Sequence, residues 1–364
     1  MSFDELAGEN PGRPPLAREL SPKALGDLVV EEGGKPFHGR ILAECVHQKG
    51  ILDFDRISNL SKALRKKLAK RISLSSTAVL QRSTGNEGTT KYLLGLEDGE
   101  SIEMVLIPDG KRNTVCMSTQ VGCPIACIFC ASGLLGVRRN LNRTELLEQF
   151  LLARQELGES PLTNIVVMGL GEPMLNLGEL LPTLDHIVGH FGFSARRITV
   201  STSGTSDRIR AFARSGHPFG LALSLHAADG ELRKRLVPTA SEDPRSLVRA
   251  SQDYFGATGR EPTFEIVLLR NWNDEPQHAR ALARLLHRQR GHINLIPWNQ
   301  VEEIPNLNSP EPDRVDRFRD ILQNEGLKVT VRRRRGRDRN AACGQLRLGR
   351  SPQPEKGSKH ISGN

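Results

Sequence analysis

Aromatic residues are scarce in this chain: Phe, Trp and Tyr together make 4% of 364 residues, with two Trp and two Tyr. That leaves little material for a surface that holds nucleic-acid bases mainly by stacking. Long apolar runs are also missing. None approaches the roughly 18 residues a bilayer-crossing helix needs, so membrane insertion by that route is excluded and no membrane partner is expected. The opening stretch, MSFDELAGENPGRPPLAREL, lacks the basic start and apolar core of a secretory signal, and a cytoplasmic protein is the expectation. Six cysteines in a chain of this length are too few for a secreted disulfide scaffold. Three of them crowd together between residues 123 and 130, which in a reducing compartment points to metal or redox chemistry.

The length is about two and a half ordinary domains, enough for one large or two unequal domains with a sizeable core. Lys and Arg number 51 against 42 Asp and Glu, a net charge of +9. Residues 328–350 alone carry nine basic residues and one Asp. An excess this local suits a polyanionic partner better than general solubility.

Residues 1–22, rich in Pro, Gly and Glu, read as a disordered lead. Residues 23–90 read as a helical N-terminal domain. Within it Leu60, Ala63, Leu64, Leu68 and Ile72 recur at helical spacing, surrounded by Lys62, Arg65, Lys66, Lys67, Lys70 and Arg71 with no acid among them. Such a face is either solvated or a nucleic-acid contact. Residues 91–107 have the pattern of a hairpin turning at Asp98-Gly99. Beyond them, apolar runs at 114–118, 164–168, 197–201, 219–225, 263–269, 292–297 and 328–332 alternate with helical patterns near 144–157, 177–190, 205–215, 244–256, 275–289 and 312–325. Alternation of this kind predicts an α/β fold with a parallel sheet, open or closed into a barrel, and places chemistry beyond the carboxyl ends of the strands. Gly169 to Glu172, Ser201 to Gly204, Ser224 to His226 and Trp298-Asn299 all follow apolar runs directly. Residues 351–364 have little to bury and read as a tail.

Cys123, Cys127 and Cys130 form C-x3-C-x2-C in the loop VGCPIACIFCASG. Three thiolates on one short loop can hold three irons of a cubane iron–sulfur cluster and leave the fourth iron open to a ligand. Structural zinc is the competing assignment, but it usually takes four protein ligands, and no second Cys pair is present. Cys116, in TVCMSTQVGC, and Cys343, in NAACGQL, each stand where a loop could face the same mouth. Taken singly, such a Cys is more often a small buried hydrophobe.

The triplet resembles the signature of the radical S-adenosylmethionine (SAM) superfamily. Over most of its length the chain resembles the RlmN/Cfr family of radical SAM RNA methyltransferases, and within it the RlmN branch. The matching stretches are CMSTQVGCPIACIFCASG, VVMGLGEPMLNL, RRITVSTSG, LALSLHAADGELR, HINLIPWN and AACGQL, in that order, with FHGRILAECVHQKGILDFDRISNLSKALRKKLAKR matching near the N-terminus.

The resemblance implies a partial (βα)6-type radical SAM barrel over residues 91–350, preceded by an RNA-docking helical domain. It also implies a [4Fe-4S] cluster on Cys123, Cys127 and Cys130, with SAM held by Gly171, Glu172, Ser201, Ser224, Leu225, His226 and Asn299. The family reaction methylates an electron-poor adenine carbon by a radical route, with one SAM methylating the cysteine matching Cys343 and a second supplying the radical that activates that methyl group. Cys116 matches the thiol that resolves the resulting RNA adduct, leaving a disulfide, and Glu103 matches its proton acceptor. The implied substrates are adenosines of 23S rRNA and possibly tRNA, methylated at C2, with an external one-electron reductant such as flavodoxin and a monomeric enzyme. The run Arg332 to Arg335, Arg337 and Arg339 would lie beside the RNA path. Methylation at C8, as in the Cfr branch, and a non-catalytic, metal-stabilised RNA-binding adaptor are the alternatives.

Overall fold

The computed structural model describes residues 14–134, 136–332 and 345. Cys343, the arginines from Arg333 to Arg339 and the 351–364 segment lie outside the described residues.

The N-terminal region is helical: α1 (Pro22–Glu31), α2 (Pro36–Ala43), a π-helical turn (Glu44–Lys49) and α3 (Lys62–Leu68). Ser21 and Ser61 cap α1 and α3 by accepting from the amides of Ala24 and Leu64, which satisfies donors the first helical turn leaves open. Leu25, Leu28, Leu42, Leu64, Leu68 and Ile72 form a small separate core. The lead expected to be disordered through residue 22 is instead packed from Leu16 onward. Leu16, Ala17 and Leu20 are buried, and the Ala17 amide donates to the Ser73 carbonyl at 2.8 Å. Two leucines four apart find a groove that composition alone does not reveal.

A ten-stranded sheet follows among the described residues. Its first four strands, β1 (Ala78–Thr84), β2 (Thr90–Gly95), β3 (Ser101–Asp109) and β4 (Arg112–Cys116), are antiparallel neighbours. The expected hairpin is β2–β3, while β1 lies inside the stretch expected to be helical, because strand pairing rather than helical periodicity decides that segment. A short pair, β5 (Gln120–Gly122) and β6 (Val137–Asn140), flanks the cysteine loop. From β4 the sheet continues in parallel through β7 (Asn164–Val167), β8 (Ile198–Thr202), β9 (Gly220–Ser224), β10 (Thr263–Leu268), β11 (His292–Pro297) and β12 (Val329–Val331).

The connecting helices are α4 (Arg143–Leu157), α5 (Leu177–Phe191), α6 (Ser206–Ala213), α7 (Gly230–Leu236), α8 (Pro244–Thr258), α9 (Pro276–Leu286) and α10 (Pro312–Asn324). The apolar faces of all but α7 pack on the sheet in one large core, while Leu236 of α7 belongs to a smaller cluster with Phe129 and Trp298. Only α7 was unanticipated, since GELRKRL offers just two leucines to a periodicity search. Fully buried Glu148 of α4 fastens the two regions together: its carboxylate accepts from the Ser76 amide at 2.8 Å, the Thr77 amide at 2.9 Å and the Ser75 hydroxyl at 2.9 Å, with Arg18 at 3.5 Å. No helix of the described residues is long and apolar enough to cross a membrane.

Candidate active site

Parallel strands end on one rim, and at the carboxyl ends of β4 and β7 to β11 they line one open cleft. Cys116 at the end of β4, Cys123, Cys127 and Cys130, Gly171 and Glu172, Ser201, Ser224, His226 and Asn299 all line it.

The cysteine loop is held from several sides. Ile128 donates its amide to the Leu236 carbonyl at 3.1 Å, Trp298 donates its indole N–H to the Phe129 carbonyl at 2.7 Å, and Thr239 donates to the Ile125 carbonyl at 2.8 Å. Gly122 enters the loop at φ +82°, where an added Cβ would lie 2.0 Å from the Gly136 carbonyl oxygen, so only glycine fits. Burial pushes the Cys123 thiol up to about 12. Burial, then the neighbouring Cys130 and Cys123, push Cys127 well above the ordinary thiol range. Thiolates here therefore need a cation to sustain them.

Glu172 accepts from the Thr202 hydroxyl at 2.6 Å, the Ser203 amide and hydroxyl at 3.0 Å each, and the Met174 amide at 3.0 Å. Burial raises its pKa above the usual carboxylate value despite these donors, so an arriving cationic group would be welcome. Gly171, at φ +105°, brings the chain so close to Thr119 that a Cβ would meet Oγ1 at 2.7 Å. His226 accepts from the Val267 amide through Nδ1 at 3.2 Å, and its ring meets Phe129 edge-on at 4.9 Å. Burial, with a contribution from Arg233, lowers its pKa to about 3. The neutral ring therefore carries its proton on Nε2. Ser201 and Ser224 touch through their hydroxyls at 3.5 Å.

Two expected residues do not line the cleft. Leu225 is fully buried in the main core, with its carbonyl accepting from Arg233 Nε at 3.2 Å. Glu103 lies on β3 in the row that continues to the lining residues Val105 and Ile107, is 4% exposed, and is ion-paired with Lys91 at 2.8 Å. Val105 pairs in register with Cys116.

The Radical SAM superfamily profile matches residues 117–283, and that of the ribosomal RNA large subunit methyltransferase N-terminal domain matches residues 18–74. A Symbiobacterium thermophilum protein named "Probable dual-specificity RNA methyltransferase RlmN" is 41% identical over 344 residues, 92% of each chain. A protein of the same name from Desulforamulus reducens is 42% identical, covering 91% of this chain and 95% of its own. The chain belongs to the RlmN family of radical SAM RNA methyltransferases. The crystal structure of a radical SAM methyltransferase from Sphaerobacter thermophilus superposes with a TM-score of 0.80 at 39% identity, covering 92% of this chain and 99% of that one.

RlmN-family enzymes use a [4Fe-4S] cluster and SAM, and the donor set suits both. Three thiols open on one cleft, while among the described residues no three His, Cys, Asp or Glu side chains are arranged around a single metal ion. A cubane takes one thiolate at each of three separate irons, so this arrangement suits a cluster. Several residues of this RlmN-family site had escaped sequence reasoning. Glu265 on β10 lines the cleft, accepts from Asn294 at 2.9 Å, and has its pKa raised by burial; its signal was a lone acid in the apolar run TFEIVL. Thr202 and Ser203, expected only as part of the strand end Ser201 to Gly204, hold Glu172.

Proposed function

We propose that this enzyme methylates C2 of adenosine in 23S rRNA and tRNA, with Cys343 as the S-methyl carrier, Cys116 as the resolving thiol and Glu103 as the proton acceptor. The observation that carries this reading is a second kind of thiol in the cleft: Cys116 opens on the same space as the cysteine triplet yet stands on a strand end outside the loop. Cluster chemistry alone has no need of it. When bound, the cluster and SAM supply the hydrogen abstraction that activates the methyl group.

The chain's own residues complete the reaction. Glu172, Ser201, Ser224, His226 and Asn299 orient SAM, with the His226 Nε2–H available as a donor. Once the methyl carbon joins the base to Cys343, the radical adduct must give up one electron, which the cluster would accept, and one proton, which Glu103 takes from its place two residues before the lining Val105 on β3. Lys91 compensates the buried charge of that carboxylate. Cys116, as its thiolate, then attacks the Cys343 sulfur: the S–S bond forms, the S–C bond breaks, its electron pair passes to the methylene carbon and the ring, and a proton, such as the one Cys116 gave up, completes the methyl group. An external one-electron reductant such as flavodoxin, a monomeric state and a cytoplasmic location belong to the same proposal.

RNA docking falls to the N-terminal helices. Arg65 pairs with Asp55, Lys67 donates to the Glu32 carbonyl, and Arg71 pairs with Glu31 and Glu32. Lys62, Lys66 and Lys70 remain exposed on α3 and just beyond it, available to phosphates. The names of the relatives, which act as dual-specificity RNA methyltransferases by description, support RNA as substrate. Replacing Cys116 by Ala tests the thiol role. RNA should accumulate covalently on the Cys343 peptide, detected by nuclease digestion and mass analysis; an unmodified peptide during demonstrated SAM cleavage would refute it.

A further inference from the structure

We propose that Arg233 is the resident counter-charge of the iron–sulfur cluster, a buried guanidinium behind the Cys123–Cys130 loop that makes the cluster easier to reduce. The proposal rests on the cluster seat at Cys123, Cys127 and Cys130.

Arg233 is 1% exposed and heads the fully buried side chains by volume. Its hydrogen bonds go to backbone carbonyls at the strand ends: Nε to Leu225 at 3.2 Å, and one terminal nitrogen to Ser203 at 2.8 Å and Ser224 at 3.3 Å. Among the described residues no carboxylate oxygen stands within ion-pair distance of it. A guanidinium stays protonated in proteins, and a buried charge without a partner is costly. Among the described residues this cation is therefore met by backbone carbonyls alone at hydrogen-bond distance, with Glu242 farther off.

The position of Arg233 points to a partner. α7 is hydrogen-bonded to the cysteine loop through the Ile128 amide and the Leu236 carbonyl at 3.1 Å. Leu236 and Val237 share a core cluster with Phe129 and Ala131 of the loop. Burial is the first influence on the Arg233 guanidinium and lowers its pKa; proximity to Cys127, should that thiol ionise, and then to Glu242 acts in the opposite sense. Around the cysteines the other named charge, Glu172, acts in the opposite sense. His226, packed edge-on against Phe129, is neutral and supplies no compensating charge.

An oxidised cubane core with three thiolates carries about one net negative charge, and the reducing electron adds another. A nearby buried cation stabilises the second charge more than the first, so it raises the potential; the same cation at the surface would be screened.

The test compares wild type, Arg233→Gln and Arg233→Lys, each anaerobically reconstituted and without SAM. Iron and sulfide content establish the seat, and dithionite titration followed by electron paramagnetic resonance gives the midpoint potential. Gln keeps a donor for the carbonyls and loses the charge; Lys keeps the charge. Arg233→Gln should shift the reduction equilibrium at least tenfold toward the oxidised cluster, about 59 mV more negative for a one-electron couple, while Arg233→Lys stays near wild type. An unchanged potential in a fully loaded Arg233→Gln protein overturns the proposal alone. Loss of the cluster from folded Arg233→Gln with retention in Arg233→Lys supports it. Equal loss of cluster or fold in both variants shows that shape rather than charge matters, and overturns it. A wild-type protein that loads no cubane overturns seat and proposal together.

Discussion

Protonating His226 is a perturbation whose cost follows directly from the structure. The ring is 4% exposed, its Nδ1 is engaged by the Val267 amide at 3.2 Å, and its pKa is lowered to about 3 by burial and Arg233. In the unfolded chain it returns to an ordinary value near 6.5. Between these values the unfolded state binds the extra proton, so stability is fully present above about pH 6.5 and falls as pH drops toward 3. At pH 5 the gap spans about 1.5 units below the unfolded value, worth about 2 kcal/mol. A folded-state value one unit higher leaves that figure almost unchanged. His226→Asn removes the titration while placing an acceptor oxygen close to the Nδ1 position, and Asn tolerates the left-handed backbone here, φ 61°. Urea unfolding of the cluster-free protein at pH 7.5 and pH 5 should show wild type losing about 2 kcal/mol more than the variant. His47, His186, His278 and His292 are also held below the usual value by burial, so the difference between proteins, rather than either loss, carries the information. Equal pH dependence in the two would refute a buried neutral His226.

Two further outcomes follow from other parts of the fold. Glu148→Ala should cost about 3–5 kcal/mol, because it strands the amides of Ser76 and Thr77 and the Arg18 guanidinium in a buried junction; urea unfolding measures the cost, and limited proteolysis should open the chain near residues 74–78. Changing Lys62, Lys66 and Lys70 to Gln should make the slope of log RNA affinity against log salt shallower by about two to three. An unchanged slope would leave the α3 face as solvated surface.

Much of the barrel was legible because its strands are short apolar runs separated by amphipathic helices, and the register of polar groups just after those runs survives folding. Ser201, Ser224, His226 and Asn299 reach one cleft for that reason. Local pattern failed where long-range packing decides. Leu16 and Leu20 look isolated in a polar lead, yet a helical groove buries them. Ala78–Thr84 lacks an alternating signal because it is an edge strand exposed along most of its length. Arg233 was hidden for a similar reason: among Arg233, Lys234 and Arg235, only the tertiary fold selects which one turns inward. Lys91 as the partner of Glu103 depends on β2–β3 register, which hairpin recognition alone does not supply.

The nucleoside composition of RNA treated with this protein reports directly on which adenine carbon it methylates. Anaerobically reconstituted enzyme, SAM and a one-electron reductant would be incubated with unmodified 23S rRNA and tRNA, and the digested nucleosides separated against authentic standards by mass spectrometry. Methylation at C2 yields 2-methyladenosine, and it should appear only when the cysteine triplet is intact. Methylation at C8, or RNA left unmodified by protein that carries a full cluster and cleaves SAM, would contradict it.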